Sequence, residues 1–290
     1  MKPFIKLILC LLLLFGAKKF CHLQTEGFEV AKISHSLPAA EKIWSSLLPQ
    51  ELKTILDQKF YYLAKGAQSF VFASEDGRFV VKFFRFPSKR SLKAISWLPS
   101  FLSSFWQEKK ERKQKLFDSE IASYKIAESE FSQETGLLYL HLVQSCDLKK
   151  LTIVDKLQIV HEIDLNHTAF AVQKKATLLY PKIQELMSQS NLEGAKQALS
   201  KLLELISSRE KRGIFDQDSN LCKNFGFIEE GSISDRPIQI DIGRLQKEPT
   251  SGKLASSGED VQHWLNHNYP ELSKHFEHKM EELLLKIEHL

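Results

Sequence analysis

The chain has 290 residues, 43% hydrophobic and 26% charged, which is the balance of a globular protein and excludes a disordered one. A formal charge of +4 and a pI near 8.7 are too mild to indicate nucleic acid as a partner without a localised basic surface. The four cysteines, Cys10, Cys21, Cys146 and Cys222, form no Cys-x-x-Cys pair, so zinc-site and thioredoxin-like chemistries have no support.

Lys2 and Lys6 precede an uncharged stretch, Leu7–Ala17, which is followed by Lys18 and Lys19. Its length is that of a signal-peptide core and falls short of the ~20 residues that span a bilayer. Residues 1–21 are therefore expected to be a signal peptide or N-terminal anchor, with export or membrane association as the consequence. The plain alternative is an apolar helix packed on the domain. Residues 22–59 read as a helical extension. Ile43, Trp44, Leu47 and Leu48 share one helix face, and Pro49–Leu56 is a second short helix with Pro at its start.

From Phe60 the pattern changes. Tyr61-Tyr62-Leu63, Ser69–Ala73 and Arg78–Phe84 are aromatic and β-branched, with Gly66 in the first gap and Glu75-Asp76-Gly77 as a hairpin turn. The spacing predicts an antiparallel three-stranded meander. Lys82 is the one charge in the core of its strand, and an ammonium there is costly unless it meets an anion. Residues 87–115 are basic and aromatic. They suit an anionic membrane surface, or else the solvated face of a helix. Helical pattern continues over Leu116–Ala127, where Phe117, Ile121 and Tyr124 flank Glu120, with Asp118 as its alternative. Gly136–Val143 reads as a strand. After Asp147 the chain is expected to turn helical. His161, Asp164 and His167 match no familiar metal-ligand set. Tyr180–Ser208 is helical with an interruption at Ser188–Gly194, and it ends in Arg209–Gly213 with basic residues and a Gly stop.

The segment Arg212–Leu245 carries the chemistry. Asp216 and Asp218 precede Asn224, which opens an apolar run, and a second run delivers Asp241 into Ile242-Gly243. An Asp, an Asn and a later Asp at strand ends are the parts that phosphoryl transfer uses: one positions or deprotonates a hydroxyl, two hold Mg²⁺ against phosphates. The alternative is a plain hairpin with polar ends. A polar loop, Thr250–Gly258, and two amphipathic helices close the chain.

These motifs resemble the protein-kinase-like superfamily. Leu63–Val71 is similar to its glycine-rich loop, with Gly66, Ser69 and Val71 at matching positions and Ala64 where the first Gly stands. Val80-Val81-Lys82 resembles its phosphate-binding strand, and Asp241-Ile242-Gly243 resembles Asp-Phe-Gly. The family spacing puts the Asn five residues after the catalytic Asp. Here Asp218 lies six and Asp216 eight residues before Asn224, and the His-Arg-Asp tripeptide is absent. There is a further likeness to kinase-like proteins of chlamydia-type bacteria. The resemblance implies an α+β, protein-kinase-like two-lobed fold. Residues 60–143 would be an antiparallel-sheet N-lobe with an insertion at 85–115, and residues 144–290 a reduced helical C-lobe lacking the usual peptide-docking platform. It also implies ATP and Mg²⁺ as cofactors, with Gly66, Ser69, Val71 and Lys82 on the nucleotide and Glu120 pairing with Lys82. Asn224 and Asp241 would hold the metal, and Asp218 or Asp216 would be the base. The expected function is atypical phosphotransfer to an unknown small-molecule, lipid, glycan or protein acceptor. The alternative is a catalytically inactive kinase-like binding module at a membrane or in the envelope. The expected partners are a nucleotide, the acceptor and an anionic membrane surface through residues 87–115, with no nucleic acid.

Overall fold

The computed structural model describes residues 3–33, 37–38, 49–85, 100–218, 220–230, 233–247 and 258–288. The expected helix at Ile43–Leu48, most of the polar loop after Thr250 and the first part of the basic stretch lie outside these residues. The chain divides into two compact units, residues 1–108 with 141–172, and residues 109–140 with 173–290.

The first unit opens with three helices, α1 (Pro3–Gln24), α2 (Val30–Ile33) and α3 (Gln50–Leu56), followed by strands β1 (Phe60–Lys65), β2 (Ser69–Ser74) and β3 (Phe79–Phe84). These strands form the predicted meander, β1 antiparallel to β2 and β2 to β3. The turn after β2 places Gly77 at a φ of 72°, the left-handed region that Gly enters without steric cost. The boundary between the units falls within β4 (Leu137–His141), a strand at the predicted place.

The helix expected after Asp147 is not there. Residues 150–174 form β5 (Lys150–Val154), β6 (Val160–Asp164) and β7 (Phe170–Lys174), and the strand order runs β7-β3-β2-β1-β5-β6. The reason is local. Leu151, Ile153 and Ile163 alternate into the core, and β-branched residues favour the pleated surface. Asp155 makes the turn, its Oδ1 accepting from the N–H groups of Leu157 (2.8 Å) and Ile159 (3.0 Å). His161 and Asp164 are strand residues. His161 lies 2.8 Å from Asp155 and His167 lies 2.8 Å from Asp164.

Aromatic side chains fill this unit's core. Phe28, just after α1, contacts Phe70 and Phe72 edge-on at 5.2 and 5.3 Å, and Phe72 continues to Phe83. Glu26 accepts from the Tyr62 hydroxyl at 2.9 Å. The segment that follows the apolar helix is thus built into the sheet.

The second unit is mainly helical. It contains most of α4 (Ser100–Glu130), then α5 (Ser132–Thr135), β8 (Thr177–Leu178), α6 (Leu179–Ser188), α7 (Leu192–Lys211), β9 (Phe215–Asp216), α8 (Leu221–Asn224), β10 (Phe225–Glu230), β11 (Ile233–Gln239), β12 (Leu245–Gln246), α9 (Glu259–Asn268) and α10 (Pro270–Glu288). Helix α7 is its axis. Asn191 caps its start by accepting from the Gly194 N–H at 2.9 Å. Leu199, Leu202, Leu203 and Ile206 are buried along one stripe, against β11 and α10. Gly213, at a φ of 70°, ends the helix as predicted. The hairpin β10-β11 follows, flanked by β8. The large sheet dominates the first unit and helices dominate the second, an α+β arrangement.

Candidate active site

In the first unit, the hairpin between β1 and β2 is closed at its neck by the Gly66 N–H donating to the Ser69 carbonyl at 2.9 Å. A Cβ at Gly66 would lie 2.9 Å from Ser69 Oγ, so a side chain there would displace the Ser69 hydroxyl. Two residues along from Ser69, Val71 stands directly opposite Lys82 in the β2-β3 ladder. All six residues of β3 are buried, and Lys82 is only 9% exposed. The structure therefore brings Gly66, Ser69, Val71 and Lys82 into one hairpin-plus-strand unit.

The second unit assembles the remaining candidates around Asn224, which is 3% exposed. Asn220 caps α8 by accepting from the Lys223 N–H, and the short helix turns Asn224 inward. The Asn224 side-chain N–H₂ donates to the Asp218 carbonyl at 3.2 Å. The Asn224 carbonyl accepts from the N–H groups of Ile240 (2.7 Å) and Asp241 (3.3 Å). One residue thus joins the loop bearing Asp218 to the turn bearing Asp241. The two segments are clamped again by the β9-β12 ladder, in which Asp216 pairs with Leu245.

The two aspartates before Asn224 have different surroundings. Asp218 is half-exposed, and its Oδ1 accepts from the Asn220 N–H at 3.2 Å. Asp216 is 6% exposed. It accepts from the Asp218 N–H (2.9 Å) and from Gln239 Nε2 (2.6 Å), with the Arg209 guanidinium 3.8 Å away. Burial pushes its carboxyl up to about 6, against the pull of Arg209. Asp216 is an internal structural acid, and Asp218 is the accessible one.

Asp241 is exposed, and its Oδ1 accepts from the Gly243 N–H at 3.1 Å. Helix α4 supports this turn. Its buried stripe includes Phe117, Glu120, Ser123, Tyr124 and Ala127. Glu120, 5% exposed, lies beside Gly243: a Cβ built there would be 3.8 Å from Glu120 Oε1 and 3.4 Å from Asp241 Oδ1. Asp118, the alternative, faces solvent and accepts from Gln114 at 2.9 Å. Ser123 Oγ donates to the Ile242 carbonyl and accepts from the Leu245 N–H at 2.7 Å. Burial pushes the Tyr124 phenol well above its ordinary pKa, reinforced by the charges of Glu120 and Asp241.

Ser123 and Gln239 carried no expectation from the sequence, and Tyr124 and Arg209 entered only as a flank of Glu120 and a helix-end residue. Arg209 looked like a helix-end cation, yet it continues the buried stripe of Leu202, Leu205 and Ile206 at helical spacing, and that was the available signal. Ser123→Ala leaves two buried backbone groups without their hydroxyl partner. It is expected to destabilise the protein by about 1–3 kcal/mol and to weaken any metal held by Asp241. Chemical denaturation and Mg²⁺ titration of the same variant check both effects.

A glycine-necked hairpin, a buried strand lysine, a helix carrying a buried glutamate, an Asp–Asn loop and an Asp-Ile-Gly turn follow one another in order. This is the order in which the sequence places them. No protein-family model matches the chain, and no curated protein matches it. Among solved structures, the bifunctional kinase-methyltransferase WbdD aligns at 15% identity and a TM-score of 0.34, over 74% of this chain and 43% of that one. The chain thus spans less than half the length of WbdD. WaaP, solved in complex with acyl carrier protein, aligns at 14% identity and a TM-score of 0.35, over 85% of this chain and 98% of that one.

Proposed function

We propose that this protein is a kinase-like phosphotransferase that uses Mg-ATP. The observation that carries the reading is Asn224, whose side chain holds Asp218 and whose backbone holds Asp241. Residues distant in sequence are fixed together by one buried amide, as a base and a metal ligand have to be. The donor set fits the cofactor. Within the second unit, the Asn224 amide oxygen and the Asp241 carboxylate are hard oxygen donors of the kind Mg²⁺ takes; within the first, Lys82 is a buried point charge of the kind a phosphate attracts. When bound, Mg-ATP supplies the activated phosphoryl group. Asp218 orients the acceptor hydroxyl and takes up its proton. Ser123 and Glu120 keep the Asp241 turn rigid.

The support for membrane association is α1, on which Leu7, Leu9 and Leu11–Phe15 are all exposed. Among the described residues no helix is long and apolar enough to cross a membrane. We propose that α1 acts as an export signal or anchor, and that the basic stretch 87–115 lies against an anionic surface.

Asn224→Ala tests the site. It opens the Asp218 loop and removes a ligand, so Mg²⁺ affinity in the presence of ATP is expected to fall about 10–100-fold, read by calorimetry. Unchanged affinity would leave the site without its central residue and favour a non-catalytic binding module.

A further inference from the structure

We infer that the tip of the β5-β6 hairpin, with the adjoining outer face of β1, is a second lipid-contact surface that enters an anionic phospholipid bilayer beside α1. The inference rests on the membrane reading of α1 and names where the sheet of the first unit meets the same bilayer.

The tip displays Leu157, Ile159 and Val160, and β1 exposes Tyr61 and Leu63; these five range from 39% to 61% exposed. The register joins part of them into one surface. Val160 stands opposite Val154 in the β5-β6 ladder, and Val154 stands beside Tyr61 in the parallel β1-β5 pair, so the three form a row across neighbouring strands. Strand β6 is the edge of its sheet. Edge strands are ordinarily protected by charge. Here the exposed charges, Glu162 and Asp164, lie further along β6, and the hairpin end is left apolar. Clustered apolar side chains on an otherwise polar surface mark contact with a membrane or another protein.

The tip is also rigid. Asp155 is buried, and its Oδ1 accepts from the N–H groups of Leu157 and Ile159 while its Oδ2 lies 2.8 Å from His161 Nε2. Between them Gln158 is held at a φ of 65°, a left-handed conformation that is costly for a residue with a side chain. A preformed tip presents its apolar side chains without the ordering cost of a flexible loop.

What covers the tip follows from α1. Two residues past the helix end at Gln24, the Glu26 carboxylate accepts from the Tyr62 hydroxyl and pairs with Lys156 of the hairpin. Phe28 packs edge-on against His161, with ring centroids 5.7 Å apart. The end of α1, where Phe20 and Leu23 are exposed, is therefore pinned beside the tip. Helix α1 carries Lys6, Lys18 and Lys19 and no carboxylate, so the headgroups that suit it are anionic. A bilayer that takes α1 reaches the tip as well.

The test uses the full chain and vesicles of phosphatidylcholine with phosphatidylglycerol. Flotation reports membrane binding as a whole. Ile159→Trp reports the tip, and its added fluorescence is expected to be quenched by lipids brominated in their acyl chains. Leu157→Asp with Val160→Asp is expected to weaken vesicle binding about 100-fold. Val143→Asp, at another exposed apolar residue of the same unit, is expected to leave it unchanged. If the aspartate pair fails to fold, Leu157→Ser with Val160→Ser takes its place. Flotation of wild type without added quenching in Ile159→Trp sinks the tip proposal and spares α1 as an anchor. Failure of wild type to float sinks both. A dimer in vesicle-free solution that the aspartate pair dissolves would overturn the inference and make the tip an interface between copies of this chain.

Discussion

Asp218→Asn is expected to lower turnover by about 10²–10⁴-fold with Mg-ATP affinity unchanged. The substitution is nearly isosteric. It keeps an oxygen to accept from the Asn220 N–H, and it leaves untouched the backbone carbonyl to which Asn224 donates. What it removes is the capacity to take a proton. ADP release with water as acceptor measures the rate, and calorimetry with a non-hydrolysable nucleotide measures the affinity. A rate equal to wild type would take the base role from Asp218. Asp216→Asn is the matched control, because Asp216 is enclosed by Gln239, Arg209 and the Asp218 backbone. Its effect is expected in stability.

Arg209→Met is expected to cost about 3–5 kcal/mol of folding stability, the usual result of breaking a buried ion pair from one side. Arg209 is buried in the last turn of α7, its Nη1 donating to Gln239 Oε1 at 2.7 Å. Gln239 in turn donates to Asp216 and to the Asp241 carbonyl at 3.0 Å. This network supports both halves of the site. Without the guanidinium, Asp216 loses the cation that stands 3.8 Å from it. The double variant Arg209→Met with Asp216→Asn is expected to lose less than the single one, and a cycle of denaturation curves gives the coupling. The pH dependence follows from the raised carboxyl of Asp216. Its folded value, about 6, lies above the ordinary 3.8, so folding favours the protonated form. The stability this group contributes is complete below about pH 3.8 and is lost as pH rises through about 6. Asp216→Asn flattens that fall, and Arg209→Met steepens it.

Several of the candidate residues stand out in the sequence because they break a pattern. Lys82 interrupts an apolar strand, and Glu120 sits among Phe117, Ile121 and Tyr124 on a helix face. Both are buried, as an apolar setting demands. Asp241 follows a strand as its apolar run predicted. The choice between Asp216 and Asp218 was not legible, since spacing alone disfavours both. The structure buries Asp216 and leaves Asp218 half-exposed, with Asn224 donating to its carbonyl. The strands at 150–174 were misread because Leu148–Asp164 places apolar residues at intervals compatible with either period. The partners that settle it, β1 for β5 and β5 for β6, are distant or reached by a turn. Ser123 carried no signal, because a serine on a helix is ordinary until the Ile242 carbonyl meets it.

The central claim is that Asn224 and Asp241 hold Mg²⁺ for a nucleotide. The direct measurement is calorimetric titration of Mg-ATP into the wild-type chain and Asp241→Asn, a variant that retains the acceptor for the Gly243 N–H and removes the charge. Saturable, Mg²⁺-dependent binding by wild type that is lost in the variant is the predicted result. Binding that is absent from wild type, or equal in the two proteins, would contradict it.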